Sequence, residues 1–159
     1  MTEEHERLWE IISDMPACMV TTQDGDVMRA RPMATFIDKD ARTIRFVTDN
    51  GSAKLSELAD DHDLCLTFAD TKSMLYASVS GKGKVSRDRD LIRKLWGPYC
   101  DVFFPGGADE ADVAVITVVP TQAEYWDNDK NSVAMAYEMV KAYFSDDGPD
   151  LGGNAKLSM

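Results

Sequence analysis

Short extended segments joined by tight turns constrain the fold of this chain more than any other feature of its sequence. A strand is predicted at Ala17–Thr22, and the turn Gln23–Asp26, which contains Asp-Gly, leads directly into a second extended segment at Val27–Ile37. Asp-Gly between two such segments is a strong hairpin signal. A further strand, Thr43–Thr48, follows without an intervening helix. These connections favour antiparallel pairing, because parallel strands need a crossover of a dozen or more residues.

The remainder of the chain adds strands and amphipathic helices in alternation. Three more strands are predicted, at Leu64–Phe68, Met74–Val85 and Val113–Asp127, the last interrupted near Pro120. Apolar residues at helical spacing predict helices around Leu8–Met15, Ser52–Ala59, Leu91–Trp96 and Val133–Phe144. Six strands with mostly local connections predict an α+β domain, an antiparallel barrel with peripheral helices, and a doubly wound α/β sheet is the alternative.

The whole chain, residues 1–159, is predicted to form one domain with a core at about residues 8–144. A long loop is expected between Tyr99 and Asp112. The Gly- and Asp-rich tail from Ser145 to Met159 is expected either to fray or to cover a neighbouring surface.

The charge balance excludes several classes of partner. With 28 acidic against 17 basic residues, the formal net charge is −11 and the pI is near 4.5. Nucleic acids and anionic membranes attract positive surfaces, so neither is an expected partner. No apolar run approaches the roughly 18 residues that a membrane span needs, and the acidic N-terminus does not resemble a signal peptide, so a cytoplasmic location is predicted.

Histidines and cysteines are too few and too far apart to suggest chemistry of their own. The chain has two histidines and three cysteines, and the cysteines form neither a pair motif nor a zinc spacing. No metal site is therefore predicted, and the cysteines are expected to be buried, inert thiols. Any reaction at this protein is expected to depend on a cofactor.

The segment 46–54, Phe-Val-Thr-Asp-Asn-Gly-Ser-Ala-Lys, is the most informative for binding. A strand ends there, a glycine-containing turn follows, and a helix begins at Ser52. Free amides of the first helical turn, the hydroxyl of Ser52 and the ammonium of Lys54 would then converge, a geometry that suits a phosphate monoester. The alternative is that Ser52 only caps its own helix while Lys54 is solvated.

Three other segments carry side chains that could contact a ligand. Arg29 and Arg31 point to the same side of a strand, where their guanidinium groups could bind phosphate or flavin, or could merely neutralise nearby aspartates. Pro32 lacks an amide hydrogen and predicts an edge or a bulge. Trp126 at a strand exit either plugs the barrel or stacks on an aromatic cofactor. Tyr76 could hydrogen-bond a ligand or only water.

Several motifs in order resemble those of a known superfamily. Arg-x-Arg-Pro-Met at 29–33, Phe-x-Thr-x-x-x-Ser-x-Lys at 46–54 and Val-Ser-Gly-Lys-Gly-Lys-Val at 79–85 resemble the FMN-binding split-barrel superfamily of pyridoxamine-phosphate oxidase. Leu-Trp-Gly-Pro at 95–98, Phe-Pro-Gly-Gly at 104–107 and Glu-Tyr-Trp-Asp at 124–127 are similar to the bacterial general stress protein branch. The resemblance extends from about Leu8 to Phe144.

The resemblance implies a six-stranded split β-barrel and a homodimer with one FMN per subunit in clefts at the interface. Carried over by position, the phosphate ligands would be Arg31, Ser52 and Lys54, with Arg29 a weaker candidate. The residues that would line the ribityl chain and the isoalloxazine are Pro32, Met33, Val47 and Thr48. Trp126 would approach the ring from the partner subunit, and Tyr76 would also reach across the interface.

The chain departs from the oxidases at two places. They follow their tryptophan with a segment containing Arg and His, whereas residues 127–131 here read Asp-Asn-Asp-Lys-Asn, and Ala53 stands where they have a second basic residue. These differences argue against oxidation of vitamin B6. Two classes of function stay open: an FMN-dependent oxidoreductase of general-stress type with an unknown substrate, and a non-catalytic FMN-binding stress protein that stores flavin or senses redox state. The sequence shows no evident acid or base catalyst, so the non-catalytic class stays open.

Overall fold

One antiparallel sheet of eight strands organises the protein in a computed structural model that describes residues 2–60, 63–127, 132–145, 148, 150 and 152–159. The strands are β1 (Ala17–Asp24), β2 (Val27–Ala34), β3 (Phe36–Asp38), β4 (Thr43–Asp49), β5 (Asp63–Asp70), β6 (Leu75–Ser86), β7 (Val113–Asp127) and β8 (Gly153–Ser158). The helices are α1 (Glu3–Ser13), α2 (Ala53–Asp60), α3 (Arg89–Leu95), α4 (Pro98–Phe103), α5 (Gly107–Glu110) and α6 (Ser132–Tyr143).

The long strand β7 is the centre of the sheet. The strand order is β2-β1-β5-β6-β7-β4-β3, and β8 also pairs with β7. One side of β7 pairs with β6, while its other side pairs first with β4 and then, from Gln122 onwards, with β8. The sheet curls so that β2 contacts β4. The predicted α+β split barrel is confirmed, although it has eight strands where six were predicted.

Both additional strands correct the sequence-based prediction. The segment Val27–Ile37 was predicted as one strand, but it divides at Thr35, whose amide donates to the Pro16 carbonyl at 3.1 Å. β2 then pairs with β1, and β3 pairs with β4. The tail was expected either to fray or to cover a neighbouring surface. This is wrong for Gly153–Ser158, because the segment forms strand β8 and pairs with β7 of the same chain. It covers an edge of β7 that would otherwise leave backbone groups unpaired.

The predicted break at Pro120 and the predicted long loop also differ from the structure. β7 continues through Pro120, and the irregularity is instead a shift in register between Ser80 and Gly81 of the paired strand β6. Gly81 fits there because an added Cβ would lie 2.7 Å from the Val119 carbonyl oxygen. The region after Tyr99 is not a loop but contains the short helices α4 and α5.

Two apolar clusters form the core. The larger fills the half-barrel and includes Leu8 and Ile12 of α1, and the smaller packs α3 and α4 against β4 and β7. Cys18 and Cys100 are buried, as predicted, whereas Cys65 is only partly buried. Burial, together with the nearby Cys65, raises the pKa of Cys18 to about 12. Within the described ranges, no helix combines the length and hydropathy needed to cross a bilayer.

Candidate functional site

Three of the predicted phosphate ligands lie together where β4 ends and α2 begins. The Lys54 ammonium donates to the Thr48 hydroxyl at 2.7 Å, and Thr48 donates to the Ser52 hydroxyl at 3.3 Å. Arg31 on β2 is near enough for its charge to act on Lys54. A strand end, a turn and an edge strand therefore bring Arg31, Ser52 and Lys54 to one place.

The turn before α2 uses part of its own hydrogen-bonding capacity. The amide of Gly51 donates to the Asp49 carboxylate at 2.8 Å, and the amide of Ser52 donates to the Asp49 carbonyl at 3.1 Å. The side chain of Asn50 accepts from Arg87 at 2.6 Å. The amides of Gly51 and Ser52 therefore already have acceptors within the turn and do not add to an anion site.

A buried carboxylate that the sequence analysis missed holds the two arginines. The side chain of Glu57 is only 4% exposed, and it accepts from Arg31 at 2.8 Å, from Arg29 at 3.3 Å and from the hydroxyl of buried Thr22. Arg31 also donates to the Thr22 hydroxyl. Glu57 lies nearly one helical turn after Lys54, but no local sequence signal marks it as buried, because its partners come from β1 and β2.

The charge state of Lys54 suggests what the cluster can bind. Burial lowers its pKa, and the positive charge of Arg31 lowers it further, while Asp49 and Glu57 partly oppose this effect. Among the described residues Lys54 donates to Thr48 but forms no ion pair with a carboxylate. A partly buried ammonium beside a guanidinium is unfavourable until an anion neutralises it, so the residues present fit a phosphate monoester.

Arg29 has a different environment from Arg31. Its guanidinium is half-exposed and bonds to both Asp24 and Glu57, whereas the Arg31 side chain is only 19% exposed. Neutralisation of a nearby aspartate was the alternative that the sequence left open for Arg29. The geometry makes Arg29 a partner of Glu57 and Asp24, and leaves Arg31 as the better-placed cation for a ligand.

Of the four residues predicted to line the flavin, Thr48 accepts a hydrogen bond from Lys54 in the cation cluster, and the other three differ in their access to a ligand. Pro32 is exposed on β2, an edge strand of the sheet as its missing amide hydrogen predicts. The side chain of Met33 is buried in the larger core cluster, and that of Val47 is buried in the smaller one. Any contact of Met33 or Val47 with a ligand would therefore come from the main chain.

Trp126 and Tyr76 lie at the other end of the sheet. They are cross-strand neighbours on β7 and β6, and Trp126 is 39% exposed. Thr48 of the cation cluster pairs with Ala114, near the opposite end of β7. At the usual rise per residue, the path along β7 from Ala114 to Trp126 is about 40 Å. Within one chain, Trp126 and Tyr76 therefore lie far from the cation cluster.

Trp126 and Tyr76 also wall a cavity of about 290 Å³ between the sheet and α6. Its other lining residues are Met74, Asp127, Met135, Met139, Gly152, Gly153 and Asn154. A larger and more open cleft of about 650 Å³ lies between α2 and β6, with Leu55 and Leu58 among its apolar lining. That cleft contains none of the predicted cofactor residues. In the described part of the chain, no group of three or more His, Cys, Asp or Glu residues is placed to hold a metal ion.

Comparison with known proteins gives a consistent set of relatives. The protein-family model for "Pyridoxamine 5'-phosphate oxidase like" proteins matches residues 3–150. Protein bli-3 of Neurospora crassa is 28% identical over 134 residues, which are 77% of this chain, and the chain spans only 64% of the length of bli-3.

Solved structures extend the comparison to the fold. A protein provisionally named general stress protein 26 from Jannaschia sp. CCS1 superposes with a TM-score of 0.78 and 25% identity, over 100% of both chains. The general stress FMN/FAD binding protein from Xanthomonas citri superposes with a TM-score of 0.71 and 26% identity, over 82% of this chain and 93% of that one.

Proposed function

Because the chain belongs to the pyridoxamine 5'-phosphate oxidase-like family, we propose that it is an FMN-binding protein of the general-stress type, and that it acts as a flavin-dependent oxidoreductase. The observation that carries the proposal is the cluster of Arg31, Ser52 and Lys54, in which Lys54 is partly buried beside Arg31 without an ion pair among the described residues. The name of the Xanthomonas citri protein supports a flavin as the ligand.

The choice of FMN follows from the chemistry of the cluster. A terminal phosphate offers three oxygens and nearly two negative charges, which suit a guanidinium, a hydroxyl and an ammonium that converge from different directions. Riboflavin lacks the phosphate, and FAD carries its phosphates as a diester. Glu57 and Thr22 would keep Arg31 oriented toward the phosphate, because they hold two of its nitrogen atoms.

The flavin supplies the hydride and electron chemistry when it is bound. The residues of this chain would hold the phosphate, exclude water from the ring and fix its orientation. The alternative function, a flavin store or redox sensor without turnover, is favoured by one observation. Glu57, the buried carboxylate of the cluster, is committed to two arginines, so it does not serve as an acid or base.

We further propose that the active unit is a homodimer in which each flavin site uses both subunits. The path of about 40 Å along β7 between the cation cluster and Trp126 supports this, because a single flavin cannot span that distance. Exposed apolar side chains on the edge strand β2, those of Val27 and Met28, also favour a cover from a second copy. Trp126 of the partner subunit would then wall the ring held by Lys54.

The phosphate assignment is tested by replacing Lys54. Lys54→Ala is expected to weaken FMN binding by about 1.5–3 kcal/mol, the net worth of a charged hydrogen bond, and to leave riboflavin binding almost unchanged. Flavin fluorescence titrations measure both affinities, and Lys39→Ala, on an exposed turn, is the matched control. Equal weakening of FMN and riboflavin would contradict the assignment.

The shared site is tested by complementation. Lys54→Ala and Trp126→Ala each damage every site in a homodimer, but a mixed dimer would regain one intact site of its two. After subunit exchange, about a quarter of all sites should therefore bind FMN with wild-type affinity. Light scattering gives the oligomeric state. A monomer that binds FMN fully would refute the dimer.

Anaerobic titration with reduced nicotinamide cofactors distinguishes the two functions, because an oxidoreductase that uses such a donor would reduce its flavin and a flavin store would not.

A further inference from the structure

The cleft between α2 and β6 combines an apolar floor with a positively charged rim. Its volume of about 650 Å³ lies within the range for small-molecule sites, roughly 300–1,000 Å³. The apolar side chains that line it are Leu55, Leu58, Val85 and Val119. The charged side chains that line it are Lys82, Lys84 and Arg87.

The floor of the cleft is closely packed. Leu55 and Leu58 of α2 are buried in the larger core cluster. Gly83 lets Leu58 and Leu64 approach β6, because an added Cβ would lie 3.1 Å from Leu58 and 2.8 Å from Leu64. Val119, by contrast, is 54% exposed, so part of the apolar lining faces solvent. An aliphatic chain that covers this surface would remove it from water, which favours binding.

The cations of the rim differ in their partners. Lys82 forms an ion pair with Asp63 at 2.5 Å, but the two side chains are 61% and 65% exposed, so water screens the attraction. Arg87 donates to the side-chain oxygen of Asn50 at 2.6 Å, and this neutral acceptor does not cancel the charge of the guanidinium. The exposed Lys84 lies between these two cations along the chain. The rim can therefore attract an anionic group.

This grouping of cations is unusual for a chain with a net charge of −11. Three of the 17 basic residues line one cleft, and they border aliphatic side chains. Aliphatic walls suit a flexible hydrocarbon chain better than a flat ring, which gains more from aromatic walls. The chemistry of the cleft therefore matches a molecule with a hydrocarbon chain and one anionic end.

We propose that the cleft between α2 and β6 binds a free amphiphile with one aliphatic chain and one carboxylate. The chain would cover Val85 and Val119, and the carboxylate would lie at Lys84 and Arg87. The inference does not depend on the proposed function, because the cleft contains none of the predicted cofactor residues. A bilayer with anionic lipids is excluded as the source of the carboxylate or phosphate, because the net charge of the protein opposes it.

Three probes test the chemistry of the ligand by calorimetric titration of the purified protein. Decanoate is expected to bind at least about tenfold tighter than hexanoate, because its four additional methylene groups cover apolar surface. Decanoate is also expected to bind at least about tenfold tighter than decyltrimethylammonium, which has the same chain and the opposite charge. The net charge of −11 favours the ammonium elsewhere on the surface, so a preference for the anion is diagnostic. Equal or reversed affinities in either comparison would overturn the proposal.

Two variants of β7 locate the binding. Val119→Glu adds an anion to the exposed apolar lining and should weaken decanoate binding by about tenfold or more. Gln122→Glu adds the same charge at an exposed position of the strand that is not among the lining residues. At physiological ionic strength, where distant charges are largely screened, it should change the affinity less than about twofold. Equal effects of the two variants would overturn the location.

Lys84→Gln provides a second test that does not disturb the apolar lining. It removes one exposed cation and should weaken decanoate binding by about two- to fivefold, while Lys39→Gln, on an exposed turn, should have no effect. An unchanged affinity in Lys84→Gln would overturn the place given to the carboxylate. Circular dichroism checks that all the variants fold.

Two further measurements separate this site from the flavin site and from a membrane. Saturation with FMN should leave the affinity for decanoate unchanged, and competition between them would place decanoate in the flavin site and overturn the inference. Decanoate binding by a protein that does not bind FMN would refute the proposed function alone. Vesicles of phosphatidylcholine and phosphatidylglycerol are expected not to sediment the protein. Sedimentation that Lys84→Gln weakens would identify a membrane surface and refute the free amphiphile.

Discussion

Replacing Glu57 with Gln is expected to destabilise the flavin-free protein by about 2–4 kcal/mol. The carboxylate is nearly fully buried and accepts from three donors, those of Arg31, Arg29 and Thr22. Gln keeps the shape but has one acceptor oxygen and an NH₂ group, so at least one of these donors would face another donor.

The magnitude follows from the exposure of each partner. The hydrogen bond to Arg31, whose side chain is 19% exposed, falls in the range of about 1.5–3 kcal/mol for bonds to charged groups. Arg29 is half-exposed, so water screens its ion pair and the contribution is at most about 1 kcal/mol. The opposed donors add a smaller penalty, which gives the total above.

Urea denaturation followed by circular dichroism measures the change in the free energy of unfolding. Glu4→Gln is the control, because Glu4 is exposed in the first turn of α1, where its charge contributes less than about 1 kcal/mol. A Glu57→Gln variant as stable as the control would refute the reasoning, since the carboxylate would then hold neither arginine.

Three further predictions concern single residues. The pKa of Lys54 is lowered from its ordinary value of 10.5, and FMN affinity should fall as the pH rises through this lowered pKa, because only the protonated ammonium attracts phosphate. A parallel fall in riboflavin affinity, measured by fluorescence titration, would contradict this prediction. Cys18, with a pKa near 12, should react with a thiol reagent only after unfolding, and mass spectrometry that finds it labelled in the native protein would show the burial to be wrong. Gly81→Ala should lower the free energy of unfolding by about 1–3 kcal/mol, because the added Cβ would collide with the Val119 carbonyl. Gly153→Ala is the control and should be nearly neutral, because no atom lies within 4 Å of its added Cβ. Equal losses of stability in urea denaturation would contradict the close approach at Gly81.

Local sequence patterns predicted those parts of the site that depend on neighbouring residues. Ser52 and Lys54 share one turn of chain, so their proximity follows from the start of a helix. Pro32 lacks an amide hydrogen, so its place on an edge strand follows from its own chemistry. Arg31 could be assigned to the same site only through the resemblance, because the contact of β2 with β4 joins segments that are distant along the chain.

Glu57 shows what a local pattern leaves undetermined. Its neighbours in α2 give no sign that it is buried, because burial depends on the packing of α2 against β1. The partners Thr22, Arg29 and Arg31 lie 26 to 35 positions away in sequence. Only the tertiary structure brings the carboxylate of Glu57 on α2 into contact with Arg29 and Arg31 on β2.

The sequence by itself determined the antiparallel class of the fold, the first hairpin and the proximity of Ser52 to Lys54, because turn residues and side-chain periodicity act over a few positions. The tertiary structure decided that the C-terminal segment is a strand, since Gly153–Ser158 has little strand character of its own and pairs only because β7 offers a free edge. It also decided that Trp126 lies far from Lys54. The separation follows from the length and register of β7, which long-range strand pairing fixes and no local pattern encodes.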